Sequence, residues 1–385
     1  MKYYVIAGEA SGDLHASNLL REIAARDTEA QFRCWGGDLM EAQGGTIVKH
    51  YRDLAFMGFV EVALHLRTIL KNIAFCKKDI LLYQPDIVVL VDYPGFNLRI
   101  AEWAKKQGFK VIYYISPQIW AWKTGRVHKI KRSCDHVMPI LPFEKDFYKK
   151  YDYDADFVGH PLLDAIDENI RESREVKEFR ADNGLDDRPI IAILPGSRKQ
   201  EIVKMLPVML EVTKSYPQYQ FVVSTVKWLP KELYSKYLQN YNVKTIMGST
   251  YPLLLNAEAA MVTSGTATLE TAILGTRQVV CYKGSDLSYR IAMAVVKDTV
   301  KYISLVNLVM DAPVVTELIQ YDFTVERLKA EMDKILFDET IRQKMSDEYT
   351  QLLTRLGGRG ASARAAEIVV KCAKNSETKS VKTGN

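Results

Sequence analysis

The feature of this sequence that most constrains its fold is a set of short, almost continuous apolar runs separated by longer segments of helical pattern. The runs cover residues 3–7, 31–35, 86–91, 111–115, 136–138, 190–194, 221–224, 243–246, 259–262 and 278–281. Strands that are apolar throughout are buried on both faces, as in parallel sheets with helical crossovers. Two series of this kind in 385 residues predict an α/β protein with two Rossmann-like, doubly wound domains.

A charged segment over residues 158–189, opened by a Gly-His-Pro turn, divides the two series. We predict an N-terminal domain over 1–165, a second domain over 166–345, C-terminal helices over 346–372 that return to the first domain, and a disordered tail over 373–385. Ligands of doubly wound sheets bind at the carboxyl ends of the strands, near a change in strand order. We therefore expect the two domains to face each other across a cleft that contains the functional site.

The composition argues against several classes of protein. The net charge of +5 is small and no basic stripe spans a domain, so a nucleic-acid partner is not expected. No run reaches the roughly 20 apolar residues of a membrane span, and the first residues lack a secretory signal pattern. Five cysteines are scattered without a CxxC pair or zinc spacing, which favours a reduced, cytoplasmic protein.

Two glycine-containing turns follow apolar runs in the second half of the chain. One is the Pro-Gly-Ser-Arg turn at 195–198, and the other begins with Ser264, Gly265 and Thr266. A helix that starts with small residues presents free N–H groups and partial positive charge, which suits a phosphate. With Arg198 on phosphate oxygens and Glu270 on ribose hydroxyls, the pair predicts a nucleoside diphosphate site. Either turn alone is as typical of an ordinary strand-to-helix connection.

The first half offers a carboxylate at the corresponding place. Asp92 directly follows the run 86–91, so it lies at the expected ligand edge and suits a general base; an N-cap or loop anchor is the structural alternative. The turn at 8–13, which contains Ser11 and Gly12, allows close approach of backbone to a ligand. It also contains Glu9 and Asp13, the alternative candidates for the base. The DxD spacings within 152–156 lie in a charged loop, where a metal site is disfavoured.

Two surface features have both a structural and a functional interpretation. Apolar residues precede and then line a helix predicted over 61–82, and they are Phe56, Met57, Val62, Leu66 and Ile69. They indicate either a helix packed on the sheet or an apolar surface for a membrane or acyl chains. A basic segment between 123 and 132 includes Lys123, Arg126 and Lys129. It indicates either a solvated helix face or a site for phosphate or anionic lipid.

Taken together, several short runs resemble the lipid-A-disaccharide synthase family in sequence and in order. They are Gly-Glu-Ala-Ser-Gly-Asp from 8, Phe-Met-Gly-Phe-Val-Glu-Val from 56, Val-Asp-Tyr-Pro-Gly-Phe-Asn from 91, Tyr-Ile-Ser-Pro-Gln-Ile-Trp-Ala-Trp from 114, Leu-Pro-Phe-Glu from 141, Gly-His-Pro from 159, Leu-Pro-Gly-Ser-Arg from 194 and Ser-Gly-Thr-Ala-Thr-Leu-Glu from 264. The resemblance covers nearly the whole chain to about residue 320.

The resemblance implies a GT-B glycosyltransferase that inverts the anomeric centre and needs no metal or other cofactor. It implies transfer of 2,3-diacylglucosamine from UDP-2,3-diacylglucosamine to the 6-hydroxyl of 2,3-diacylglucosamine 1-phosphate (lipid X), with lipid A disaccharide 1-phosphate and UDP as products. The protein is then peripheral on the cytoplasmic face of a Gram-negative inner membrane, in contact with its lipids, as a monomer or homodimer.

The resemblance also implies roles for particular residues. Asp92 matches the family's proposed general base, and Arg198 and the turns at Gly196 and Gly265 would hold the diphosphate. Glu270 would hold the ribose, and Asn307 matches a further family position near the nucleotide. Two alternatives remain at this stage, namely another UDP-sugar GT-B enzyme such as a UDP-sugar 2-epimerase, and a non-catalytic protein that binds lipid phosphate at a membrane.

Overall fold

The computed structural model describes residues 1–54, 66–120, 124–166, 168–286, 289 and 301–380, and the side chains at 66, 168–169 and 376–380 also fall outside the description. The chain forms two compact units. The first consists of Met1–Ala165 with Leu356–Asn385, and the second of Ile166–Arg355. Each contains one six-stranded parallel sheet.

In the first unit the strand order is β3-β2-β1-β4-β5-β6. The strands are β1 (Lys2–Ala7), β2 (Gln31–Gly36), β3 (Gly45–His50), β4 (Ile87–Val91), β5 (Lys110–Tyr114) and β6 (His136–Met138). Every residue of β4 is buried, which explains the unbroken apolar run in the sequence. The edge strand β3 was not among the predicted strands, because most of its residues are only partly buried and it carries no continuous apolar run.

Helices cover both faces of this sheet. They are α1 (Ala10–Ala24), α2 (Asp38–Ala42), α3 (Leu66–Tyr83), α4 (Pro94–Lys106), α5 (Arg126–Ser133), α6 (Pro142–Lys149) and α7 (Leu162–Ala165). One apolar cluster joins the sheet to α1, and another joins it to α3, α4 and α5. Helix α1 begins at Ala10, so Ser11 and Gly12 lie in its first turn.

The second unit repeats the topology, with strand order β12-β11-β10-β7-β8-β9. The strands are β7 (Ile190–Leu194), β8 (Gln220–Thr225), β9 (Val243–Met247), β10 (Ala257–Thr263), β11 (Arg277–Tyr282) and β12 (Glu317–Ile319). The helices are α8 (Arg174–Lys177), α9 (Phe179–Asp182), α10 (Lys199–Thr213), α11 (Lys231–Leu238), α12 (Thr250–Asn256), α13 (Thr266–Ile273), α14 (Leu305–Met310), α15 (Val325–Phe337) and α16 (Glu339–Arg355). Numbered from its own first strand, each sheet therefore has the order 3-2-1-4-5-6.

The chain returns to the first unit after α16, where a glycine-rich turn precedes α17 (Ala361–Ser380). Helix α17 packs on α1 and contributes Ala366 and Val369 to the core of the first unit. The Asp164 carboxylate accepts hydrogen bonds from the N–H groups of Gly360 and Ser362, at 2.7 Å each, and so caps α17. The segment 346–372 is thus divided: α16 belongs to the second unit, and only the chain from Leu356 onward lies in the first. Helix α17 also extends to Ser380, into the tail that the sequence predicts to be disordered.

Candidate active site

Each sheet reverses its winding direction between its first and fourth strands, and the candidate residues cluster at these two switch points. In the first unit β1 pairs with both β2 and β4, and in the second β7 pairs with both β8 and β10. Loops that leave the carboxyl ends of such neighbouring strands diverge, which opens a crevice for a ligand. Asp92 follows β4, whereas the turns at 195–198 and 264–266 follow β7 and β10.

The backbone around Asp92 is held in an unusual conformation. Asp92 and Tyr93 both have positive φ, at 47° and 49°, in a region that non-glycine residues rarely adopt. The Asp92 carbonyl accepts hydrogen bonds from the Asn97 side-chain amide and from the Tyr113 hydroxyl, at 2.7 Å each. Position 8 has no room for a side chain, because a Cβ on Gly8 would overlap the Tyr93 ring. Such contacts fix a strained loop, as is common at functional sites.

The Asp92 carboxyl has the properties of a group that exchanges protons near neutral pH. Burial raises its pKa to about 6, and the negative charge of Glu9 contributes in the same direction. The carboxyl is therefore mostly ionised at pH 7, yet it is a stronger base than an ordinary aspartate.

The two alternative carboxylates differ from Asp92. Asp13 is buried, and its carboxylate accepts hydrogen bonds from the N–H groups of Gly37, Leu39 and Met40, so that it caps α2. The Asp13 carboxylate thus makes its hydrogen bonds within the fold. Glu9 is exposed at the N-cap of α1, where it forms no side-chain capping bond, and its position leaves it close enough to influence Asp92 electrostatically.

In the second unit a cavity of about 370 Å³ lies at the switch point. Its lining includes the predicted residues Arg198, Ser264, Gly265, Thr266 and Glu270. Gly265 has a φ of 152° and precedes α13, whose N-terminus carries no side-chain cap. The free N–H groups of that first turn can therefore contact an anion in the cavity.

The turn at 195–198 is organised differently from the turn at Gly265. The Glu201 carboxylate accepts hydrogen bonds from the N–H groups of Ser197 and Arg198, at 2.9 and 3.1 Å, and it also pairs with the Arg198 guanidinium at 3.1 Å. The Arg198 side chain is 74% exposed. At this turn the exposed guanidinium, rather than the backbone, is thus the group available to a phosphate.

Glu270 lies on the second turn of α13 with one carboxylate oxygen accepting a 2.8 Å hydrogen bond from the Tyr251 hydroxyl. Burial raises the pKa of Glu270, and the bond from Tyr251 opposes that shift. Sequence reasoning did not identify Tyr251 or Trp228. The Trp228 indole donates to the Ser197 carbonyl at 3.0 Å and remains 71% exposed beside the turn. An isolated tryptophan in a loop gives no periodic signal by which it could have been found.

Asn307 is buried and is not among the residues that line this cavity. Its amide nitrogen donates to the Val315 carbonyl and the Glu317 carboxylate, and its amide oxygen accepts from the Val315 N–H. Glu317 in turn accepts from the N–H of Ile303, whose carbonyl accepts from the Ser264 hydroxyl. Asn307 therefore supports the loop that contacts Ser264.

The structure describes only part of the two predicted surface features. Phe56, Met57, Val62 and Lys123 lie outside the described residues, as does the side chain of Leu66. Ile69 packs against the core, whereas Leu70 and Phe75 on the same helix α3 are exposed. Lys129 pairs with Glu102 at 2.8 Å, and Arg126 lies close enough to Tyr113 to affect its ionisation. No helix within the described parts of the chain combines the length and apolar character needed to cross a membrane.

Solved structures with this architecture define the fold. A UDP-GlcNAc 2-epimerase from Neisseria meningitidis, bound to UDP-GlcNAc, superposes with a TM-score of 0.69 at 14% identity, over 96% of this chain and 100% of that chain. The glycotransferase of kitacinnamycin superposes with a TM-score of 0.65 at 12% identity, over 97% of this chain and 99% of that chain. The fold is therefore the GT-B fold of glycosyltransferases and sugar epimerases.

Sequence comparison then identifies the family. The model of the lipid-A-disaccharide synthetase family matches residues 3–371, and the chain belongs to that family. The lipid-A-disaccharide synthase of Syntrophus aciditrophicus is 40% identical over 97% of this chain and 98% of its own length. That of Geobacter metallireducens is 38% identical over 95% and 96%. The chain is accordingly an enzyme, a glycosyltransferase of lipid A biosynthesis, and the epimerase and non-catalytic alternatives are not favoured.

Proposed function

We propose that this enzyme transfers 2,3-diacylglucosamine from UDP-2,3-diacylglucosamine to the 6-hydroxyl of lipid X, and releases UDP. The observation that carries the proposal is Asp92, a partly buried carboxyl with a raised pKa, held at the switch point of the first sheet. In the proposed step the acceptor oxygen attacks the anomeric carbon while its proton passes to Asp92, and the bond to UDP breaks. One displacement of this kind inverts the anomeric centre and needs one base.

The second unit supports the donor half of the proposal. Negative charge develops on the diphosphate as UDP leaves, and a positive group placed there beforehand lowers the barrier. Arg198 and the uncapped N-terminus of α13 supply that charge, with Ser264, Gly265 and Thr266 in contact with the phosphates. Glu270, oriented by Tyr251, accepts from the ribose hydroxyls.

Acyl chains and lipid phosphate require further contacts. Helix α3 exposes Leu70, Lys71 and Phe75, a combination of apolar and basic side chains suited to an anionic lipid surface. Together with Phe56, Met57, Val62, Leu66 and Ile69, this helix is the proposed acyl-chain and membrane contact. Lys123, Arg126 and Lys129 are the proposed contacts for the acceptor phosphate, and Ser11 and Gly12 for the acceptor sugar. The proposed location is the cytoplasmic face of the inner membrane.

The deciding experiment incubates the purified enzyme with UDP-2,3-diacylglucosamine, lipid X and EDTA, and detects the disaccharide 1-phosphate by mass spectrometry. The wild type should form product and Asp92→Asn should not. Asp13→Asn is the matched control, because it removes another carboxylate at the same edge of the sheet, one that caps α2. It should lower the melting temperature while any folded fraction stays active. Product from Asp92→Asn at the wild-type rate would overturn the role of the base.

A further inference from the structure

The second unit contains another cavity, of about 320 Å³, between helix α11 and the end of its sheet. This α11 cavity lies at the carboxyl ends of β8 and β9, whose last residues are Thr225 and Met247. Strand β9 is the outermost strand of the sheet, and its Thr245 and Met247 are exposed. Helix α11, which has only eight residues, forms the other wall. The cavity is thus the space between an outer strand and a short helix, at the edge where ligands of such sheets bind.

The lining of the α11 cavity is mainly apolar. Its apolar residues come from the loop after β8, from helix α11 and from strand β9, and they are Val226, Leu229, Leu238, Ile246 and Met247. Among the described residues that line it, Lys231 is the one that carries a charge. By contrast, the donor cavity, which is the cavity of about 370 Å³ at the switch point, is lined by three charged residues, Arg198, Glu201 and Glu270. The two cavities therefore suit different parts of a ligand.

The hydroxyl groups at the α11 cavity make hydrogen bonds with the protein backbone. The Thr225 hydroxyl donates to the Ile246 carbonyl at 2.8 Å, and the Ser235 hydroxyl donates to a carbonyl within α11 at 3.3 Å. The Tyr234 hydroxyl accepts from the Val226 N–H, also at 3.3 Å. A nucleobase or a sugar that left water for this cavity would lose hydrogen bonds without replacing most of them. The lining therefore favours an aliphatic occupant over a polar one.

The α11 cavity and the donor cavity adjoin each other at Val226, which lines both. Two residues further along the same loop, the Trp228 indole is fixed by its hydrogen bond to the Ser197 carbonyl, and its ring remains exposed. Ser197 itself lines the donor cavity. A ligand with its phosphates at Arg198 and Gly265 can therefore extend an apolar group past Val226 into the α11 cavity.

We propose that the α11 cavity receives an acyl chain of the donor sugar. This inference rests on the proposed function, in which the donor is a diacylated sugar nucleotide with its diphosphate in the donor cavity. The aliphatic side chains of the lining surround the acyl chain, and the removal of its methylene groups from water strengthens donor binding. The proposed donor and acceptor carry two acyl chains each, so this cavity adds to the proposed acyl-chain contact on helix α3 and does not replace it.

The test measures, by calorimetry, the Kd of the full-length enzyme for UDP and for UDP-2,3-diacylglucosamine analogues with butanoyl, hexanoyl or octanoyl chains. Such short chains keep the analogues dispersed in water. Each step in this series adds two methylene groups to the chain in the cavity, and it should lower the Kd by roughly tenfold, since one buried methylene group contributes about fourfold. Equal affinities for the three analogues would overturn the proposal.

Variants that fill the cavity locate the acyl chain. Leu238→Trp fills it from helix α11 and should remove most of the dependence on chain length, while the Kd for UDP stays within experimental error of the wild type. Thr245→Trp fills it from an exposed position on β9 and serves the same purpose if Leu238→Trp does not fold. Phe337→Trp is the control, because it adds an indole at an exposed position at the end of α15, and it should behave as the wild type.

Two results with these variants would contradict the proposal. Chain-length dependence that persists in both filled variants would place the acyl chains elsewhere, and a raised Kd for UDP itself would assign the cavity to the nucleoside. The binding results are also separate from catalysis. An enzyme that distinguishes chain length through this cavity but forms no disaccharide would contradict the proposed transfer and uphold the acyl site. An enzyme that forms the disaccharide without such discrimination would do the reverse.

Discussion

Two carboxylates, Glu9 and Asp92, lie at the switch point of the first unit. The switch point of the second unit instead has an uncapped helix N-terminus and Arg198. The two units have the same strand order, and in each unit the candidate residues follow the first and the fourth strand. In the proposed reaction, one edge accepts a proton and the other holds negative charge. The comparison teaches that topology fixes where a site lies, while a few loop residues fix which charged groups it presents.

The largest effect that separates the two edges should come from Asp92→Asn. Removal of a general base lowers turnover by about 10²–10⁴-fold, since an amide cannot accept the proton. The Kd for UDP, measured by calorimetry, should stay within experimental error of the wild type because the proposed donor-binding residues belong to the other unit. A comparable loss of UDP affinity would mean that the two edges do not have separate tasks.

Arg198→Ala should give the reverse pattern in binding. A charge-assisted hydrogen bond to phosphate contributes about 1.5–3 kcal/mol, so the Kd for UDP should rise by roughly 10–100-fold. Arg198→Lys is the matched control and should recover part of the affinity, because it retains the charge without the planar fork. Unchanged UDP binding in Arg198→Ala would assign the phosphate contacts to the α13 N-terminus alone.

Tyr251→Phe should have a smaller effect on the same edge. The variant removes the hydrogen bond that orients Glu270, so the Glu270 carboxyl becomes harder to ionise and less well placed for the ribose. A single hydrogen bond of this kind is worth about 0.5–1.5 kcal/mol, which corresponds to a rise of roughly 2–10-fold in the Kd for UDP. The affinity for inorganic pyrophosphate should not change, and a parallel loss there would place Tyr251 at the phosphates instead.

The smallest effect concerns the pH dependence of the first edge. Asp92 must be ionised to act as a base, so kcat/KM should fall as the pH drops below about 6. Glu9→Gln removes a negative neighbour, which lowers the Asp92 pKa and moves this limb to lower pH. Burial is the larger cause of the raised pKa, so the shift should be about one unit at most. If the acidic limb of the pH profile moved to higher pH in Glu9→Gln, or stayed in place in Asp92→Asn, it would report the ionisation of another group.

The sequence was sufficient to predict the architecture because parallel strands carry an unmistakable signal. Strands such as β4 and β7 are apolar at every position, and the turns after them begin with residues that a ligand edge favours. The edge strands β3 and β12 escaped prediction, since one is only partly buried and the other has three residues. The break between α16 and α17 also escaped, although Gly357, Gly358 and Gly360 mark it with positive φ.

Contacts between residues far apart in the chain were beyond the reach of a single sequence. The pairing of Trp228 with Ser197 and the hydrogen bond from Tyr251 to Glu270 depend on the completed fold. For Asn307, the family resemblance indicated a position near the nucleotide. In the structure its side-chain amide forms its hydrogen bonds within its own loop. A motif identifies a position, and only the geometry distinguishes a side chain that contacts ligand from one that supports it.

The capping of α17 by Asp164 has a consequence for how the polypeptide is made. The ribosome delivers residues 1–165 first, but the core of the first unit includes Ala366 and Val369, which emerge only after the whole second unit. The second unit can thus fold during translation, whereas part of one apolar face of the first sheet stays uncovered until α17 has been synthesised. Of the two units, the one whose synthesis begins first is the last to complete its core.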